Sequence, residues 1–409
     1  MKKDWLYAVC FVCLTAACSN SPQTTAEDLC TIDVAGAMDK PVELKISELG
    51  SDVRYVTLET IDSCLIGNNP SMMLLDKHIV VSSRNDCFLF DKANGKFICK
   101  VGHGGDDPEA YSSTQPTYCD ADGLLYFKRE PDGLQKYDLQ GNYQGKITIP
   151  TPPVAPGGYV FTDSLIIGHY MAVAQQYNAS SLLLFNAEGR RIDTIPSLLP
   201  VLPEMQVKDI TSISVVKRGL TGIILSNFSD GSNSASIIGT PSLWKNEGKV
   251  RFKENFVDTV YTVERNQLIP AIVFATGKWH WGAEARTSTD SGNQHLLMTT
   301  VFETDNTIFF QCIRGLYDKE PDTFNGIYDR KTGITHMYLE KEGIKDDLTD
   351  FMPFHPKTCS AKGEYGTIVS ADEVLGWMEE HPGAAQNVKL AELKKLTEDS
   401  NPVVVITVP

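Results

Sequence analysis

The sequence predicts an all-β chain: a six-bladed β-propeller of four-stranded antiparallel blades. Three observations predict it. Between Cys99 and Ile149 three Gly-bearing turns follow one another closely, Ala121-Asp122-Gly123, Pro131-Asp132-Gly133 and Leu139-Gln140-Gly141. They separate Pro116–Asp120, Leu124–Lys128, Leu134–Asp138 and Asn142–Ile149, runs too short for stable helices and apolar enough for strands. The pairs Phe90-Asp91, Tyr137-Asp138 and Phe185-Asn186 recur at intervals of 47 and 48 residues, each followed shortly by Gly, which is a propeller-sized period. The chain also begins and ends with one strand that has no neighbour in sequence.

In chain order, Asp52–Glu59 alternates apolar and polar residues and reads as the first long strand. Ser71–Leu75, Lys77–Ser83, Cys87–Phe90 and Lys96–Val101 form the first meander, and the Cys99–Ile149 unit the second. Gly158–Thr162, Leu165–His169, Ser181–Phe185 and Arg190–Ile195 form the third. A fourth is expected from Thr211–Val216, Gly222–Ser226, Asp258–Val263 and Gln267–Ala275, with Ser229–Asn255 as an insertion. His295–Phe302, Thr307–Ile313, Gly326–Asp329 and Ile334–Leu339 make the fifth.

The sixth has Phe351–Thr358 and Gly363–Ser370 before the pattern turns helical. Ser370-Ala-Asp-Glu373 is a capping box opening a helix through Glu380, and Gln386–Thr397 reads as a second helix, a helical insertion over about 371–398. The last strand, Pro402–Val408, leaves this blade one strand short. Pairing it with Asp52–Glu59 closes the ring and removes two exposed edges.

The net charge of −15 argues against nucleic acid as a partner. Lys2 and Lys3 precede an apolar run, Leu6–Ala17, too short to span a bilayer, so residues 1–17 read as a signal peptide. Cys18, after Ala16 and Ala17, resembles the lipidated Cys of a bacterial lipoprotein, with simple secretion as the alternative. Residues 18–40 then form the anchor and a flexible linker, and 41–409 the propeller. The partner on this reading is a membrane, held through the lipid, and the location is the cell envelope. Past Cys18 seven cysteines remain. Cys87 and Cys99 flank one hairpin, but small buried hydrophobes are the simpler reading of them all.

Val101-Gly102-His103-Gly104-Gly105-Asp106-Asp107-Pro108-Glu109-Ala110-Tyr111 resembles the inter-blade loop of NHL-type propellers. More broadly, the chain resembles the six-bladed propeller lipoproteins of Bacteroides and relatives, with their NHL- and TolB-like fold. Arg54–Thr60 matches the family's early strand, and Asn401–Val405 the C-terminal strand it pairs with. Asp106, Asp107 and Ala110 depart from the loop's Gly-rich pattern. The resemblance implies fold and location more than activity.

In a propeller the loops after the second strands share one face with the inter-blade loops. Arg84, Arg129, His169 and Arg314 stand at related second-strand ends and suggest a cationic mouth for a carboxylate, sulfate or phosphate. The alternative is pairing with loop carboxylates such as Asp86 and Glu130. Trp279 and Trp281, flanking His280, suggest stacking on a sugar or gripping a peptide, or else a plug in the propeller's side. His103 with Asp106, Asp107 and Glu109 fits a turn better than a metal site. No metalloprotease motif or nucleophile elbow occurs. The expectation is a non-catalytic protein with no cofactor, binding an anion, glycan, peptide or protein on the channel face. The alternative is a metal-dependent propeller hydrolase or lyase.

Overall fold

The computed structural model describes residues 29–149, 157–170, 180–199, 209–238, 242–282, 294–383 and 386–409. Cys18 and the N-terminal segment lie outside them. The described chain is all-β, with seven sheets and few helical turns. Ser71–Lys100 forms sheet one, Thr117–Thr148 sheet two and Gly158–Pro196 sheet three, each a four-stranded antiparallel meander. Leu243–Phe274 forms sheet four and Leu296–Leu339 sheet five. Sheet six orders Asp52–Thr57, Val403–Val408, Tyr365–Val369 and Thr358–Cys359 side by side. The two chain ends therefore pair, antiparallel, from Asp52 opposite Val408 to Thr57 opposite Val403.

Six clusters of buried side chains join these sheets in succession. Phe88 and Phe90 of sheet one meet Ile368 and Val404 of sheet six, and Leu89 meets Phe127 and Tyr137 of sheet two. Tyr126 of sheet two meets Phe161 and Phe185 of sheet three, and Leu182 and Leu184 meet Val250 and Phe252 of sheet four. Phe274 of sheet four meets Leu296 and Phe310 of sheet five, and Phe309 and Tyr338 meet Tyr365 and Val405 of sheet six. Burying both faces of these six sheets supplies the main stabilisation, each large side chain contributing about 1.5–3 kcal/mol.

Charged clamps reinforce two of these seams. Glu303 accepts from Arg251 Nε (3.1 Å), Arg330 (2.6 Å) and Trp244 Nε1 (2.9 Å), tying sheets four and five with its carboxylate fully buried. Lys92 of sheet one pairs with Glu364 next to sheet six and donates to Leu75 O at 2.9 Å. The expected turns are present. Asp91 Oδ1 accepts from Ala93 N and Asn94 N, and Gly95 follows at φ 71°, where a Cβ would lie 2.0 Å from Thr57 O of sheet six.

Three expectations are corrected. The fourth meander was assembled from the wrong strands: Ile210–Arg218, Thr221–Phe228 and Asn233–Ile238 form a separate, seventh sheet. Leu243–Asn246 and Lys249–Lys253, inside the expected insertion, supply the missing strands of sheet four. Alternation of apolar and polar residues looks the same in both places, so periodicity could not separate them. The linker expected to reach residue 40 ends earlier, because Cys30–Ile32 adds in parallel to Gln267–Phe274 and Val34–Met38 is helical, with Ile32 and Val34 fully buried. The second helix is a 3-10 segment, Val388–Lys395. The first, Ala371–Glu380, carries the expected box, Ser370 Oγ accepting from Glu373 N while Glu373 accepts from Ser370 N. All seven cysteines among the described residues are free thiols, Cys87 and Cys99 included.

Candidate functional site

None of Arg84, Arg129, His169, Arg314, Trp279 and Trp281 lines the cleft described below, and each has its own surroundings. Arg84 is exposed and makes no polar contact among the described residues. Arg129 donates to two backbone carbonyls of the loop before sheet two, Gly105 O and, at 2.9 Å, Asp106 O. That loop is itself fixed, with Tyr111 stacked on Phe127 at 4.4 Å and Gln135 Nε2 donating to Pro108 O and Ala110 O. In the same loop His103 pairs with Asp107 at 2.6 Å. Arg314 pairs with Asp322 and lies over the rings of Trp279 (5.6 Å) and Phe324 (5.5 Å).

His169 is only 4% exposed, packs edge-on to Phe252 at 5.3 Å, and burial pushes its pKa down to about 4. It is a neutral core ring, not a cation at a mouth. Trp281, 1% exposed, packs against Phe256 and Tyr317. Trp279 is half-buried, with Nε1 unpartnered among the described residues. Of the six candidate ligand-binding residues, only Arg314 and Trp279 are seen in contact.

A fifth second-strand end was missed with the strands of sheet four. Lys249–Lys253 ends in a fully buried Lys253, whose Nζ donates to Met298 O at 2.8 Å. Burial pushes its pKa down to about 8.

A cleft of about 1510 Å³ lies elsewhere on the molecule. Its wall comes from the segments leading into the first strands of sheets one, two and six (65–73, 115–116, 352–358) and from the end of sheet six's second strand (367–373). Residues 398–402 and Thr300, Phe302, Gln311 and Asn325 of sheet five complete it. The tip of the seventh sheet's first hairpin borders it too: Leu220 N donates to Gln311 Oε1 at 3.0 Å, and Gln311 in turn donates to Asn325 at 2.8 Å. Thr300, buried in the wall, has an Oγ1 without a partner among the described residues.

The cleft's charge is the reverse of the expected one. Lys217 and Lys357 line it against Glu340, Asp372, Glu373, Glu398 and Asp399, two bases against five acids. Lys357 is turned to Ile368 O at 3.1 Å, and burial lowers its pKa. Burial likewise lowers that of His355, with Glu340 opposing the shift. Met72, Met73 and Met352, with five prolines, supply apolar surface. No group of three or more His, Cys, Asp or Glu among the described residues is placed to hold a metal ion.

The sequence carried one overlooked signal for this cleft. Asn69-Pro70, Gln115-Pro116 and His355-Pro356 each stand one or two residues before the first strand of a sheet that borders it. Asn69, ahead of Pro70, turns the chain at φ 54°, and the three segments lead into their strands along the cleft wall.

A family model described as "Domain of unknown function (DUF4934)" matches residues 29–408. The chain belongs to that family. The solved structure of a candidate exported protein from Bacteroides fragilis NCTC 9343 aligns with this DUF4934 chain at a TM-score of 0.64 and 14% identity, over 92% of this chain and 98% of the other. At that identity the likeness is one of fold. The crystal structure of the RRP9 WD40 repeats aligns at a TM-score of 0.40 and 12% identity, over 90% and 100% of the two chains. No curated protein matches the sequence. The DUF4934 fold here is β-propeller-like and all-β, and no helix among its described residues is long and apolar enough to cross a membrane.

Proposed function

We propose that this protein is a six-bladed propeller of the cell envelope, anchored through Cys18, that binds a peptide segment in its cleft without chemistry. Six blades are supported by the six buried seams, which run from sheet one through to sheet six and back to sheet one. The seventh sheet stands outside that succession, packing on Leu297, Ile313 and Leu316 of sheet five. Envelope location is supported by the signal-like N-terminus and by the likeness in fold to a candidate exported protein.

The observation that carries the binding reading is the cleft itself, in size and lining. Three thioethers and several prolines give an adaptable apolar floor, as surfaces that accept varied peptides do. Amides and hydroxyls such as Asn68 and Ser400 offer partners for a peptide backbone. A glycan is less well served, because the two tryptophans that would stack on a sugar face are packed elsewhere. An anion is less well served again, since Arg84, Arg129 and Arg314 do not line the cleft.

A thermal-shift screen of the purified chain against a mixed-sequence peptide library tests this. Peptides should raise the melting temperature of the wild type and not that of Ser71→Trp, which fills the cleft from the edge of sheet one. Equal stabilisation of both, or stabilisation by cell-wall saccharides and by no peptide, would overturn the reading.

A further inference from the structure

We infer that a smaller pocket at the end of sheet four binds a substituted phenol, an apolar ring with one hydroxyl, through Nε2 of His280. The pocket, about 540 Å³, lies between the turn after Lys249–Lys253 and the turn after Gln267–Phe274. These are one loop after a second strand and one inter-blade loop, the kinds that share a face in a propeller. Three polar side chains converge on it. Thr276 Oγ1 donates to Asp258 Oδ2 at 2.7 Å, and His280 Nδ1 meets the same oxygen at 2.9 Å. The Asp258 side chain is 12% exposed and that of His280 60%, so the carboxylate sits beneath an open ring. The ring is held by its backbone as well, His280 N donating to Gly277 O at 3.1 Å.

The polar trio and the wall select the occupant. An ionised carboxylate only accepts, so Nδ1 carries the ring proton and Nε2 keeps a lone pair. Nε2 has no partner among the described residues. Phe256, Val257, Val273 and Phe274 make the rest of the wall apolar. Phe256 holds φ 60°, a left-handed conformation that is strained for a bulky residue, and strain of that kind clusters at ligand sites. One acceptor beside an apolar wall calls for one donor on an apolar body, and an aromatic ring suits a wall that includes two phenyl groups. A sugar would bring several hydroxyls to a single acceptor. A carboxylate or phosphate would bring no proton to Nε2 and would face Asp258. None of these residues lines the cleft, so the inference stands apart from peptide binding there.

Methyl NMR of the full-length chain, titrated with p-cresol, tests this. The signals of Val257 and Val273 should move and saturate. The same titration with 4-methylanisole, which keeps the ring and the oxygen but has no proton to donate, should give an affinity about 3–10-fold lower, the worth of one hydrogen bond. His280→Ala, at an exposed position, should bring the two affinities together by weakening p-cresol. Nitrogen spectra of the imidazole ring test the geometry without a ligand. Taken at about pH 8, where an ordinary imidazole is neutral, they should show the proton of His280 on Nδ1. Valine signals that stay in place up to the solubility limit of p-cresol overturn the inference. So does a preference for p-cresol that survives in His280→Ala, or a ring proton found on Nε2.

Discussion

Leu296–Glu303 and Ile210–Arg218 are strands of similar length, and they meet opposite fates. All eight residues of the first are buried, while none of the nine in the second is. The first begins sheet five, which packs on sheet four through one face and sheet six through the other. The second is the edge of a sheet with one packed face, resting on sheet five. Burial here follows from a strand's place in the succession of seams more than from its own apolar content. Residues inside the succession should carry stability, and exposed residues on the seventh sheet should contribute little to it.

The largest expected effect is at Glu303, the end of the buried strand. Glu303→Gln removes the charge that compensates Arg251, whose side chain is 3% exposed, and should cost about 3–5 kcal/mol in urea unfolding. A loss near zero would mean the clamp contributes nothing to its seam.

A second test uses pH at the seam between sheets three and four. The ordinary pKa of His169 is 6.5, and in the fold burial holds it near 4. Below the ordinary value the unfolded chain takes up a proton that the folded chain refuses. The stability is therefore complete above that value and is lost as pH falls towards the folded pKa, amounting to about 2 kcal/mol at about pH 5. His169→Phe should flatten that part of the profile of melting temperature against pH. An unchanged acid slope would show that His169 is not buried as a neutral ring.

The smallest effect sharpens the comparison from the other side. Val215→Thr, on the exposed strand, should change the unfolding free energy of the monomer by no more than about 0.5 kcal/mol. A loss several times larger would mean that this strand is buried after all and would remove the contrast.

The regular sheets were legible because short apolar runs between Gly turns carry their own register, and because Asp91, Asp138 and Asn186 sit where the turns need them. The pairing of the chain ends was legible from one leftover strand at each terminus. The strands of the fourth sheet were not, since Ile210–Phe228 alternates as a blade strand does and only packing distinguishes it. The site was less legible than the fold. Whether Arg129 meets a ligand or the carbonyls of Gly105 and Asp106 depends on a loop fixed by Tyr111 and Gln135, which local sequence does not reveal. His169 and Trp281 look functional as residue types and are core by position. The cleft was overlooked because its wall is made of common residues from segments scattered between residues 65 and 402, linked only by prolines ahead of three first strands.

The claim that the cleft is the binding surface is tested most directly by methyl NMR on the methionines. Met72, Met73 and Met352 line the cleft, whereas Met298 and Met337 are buried in the seam between sheets four and five. Titrating a peptide selected from the thermal-shift screen should move the signals of the first three and leave the other two in place. A peptide that binds while those three signals stay unmoved would contradict the account.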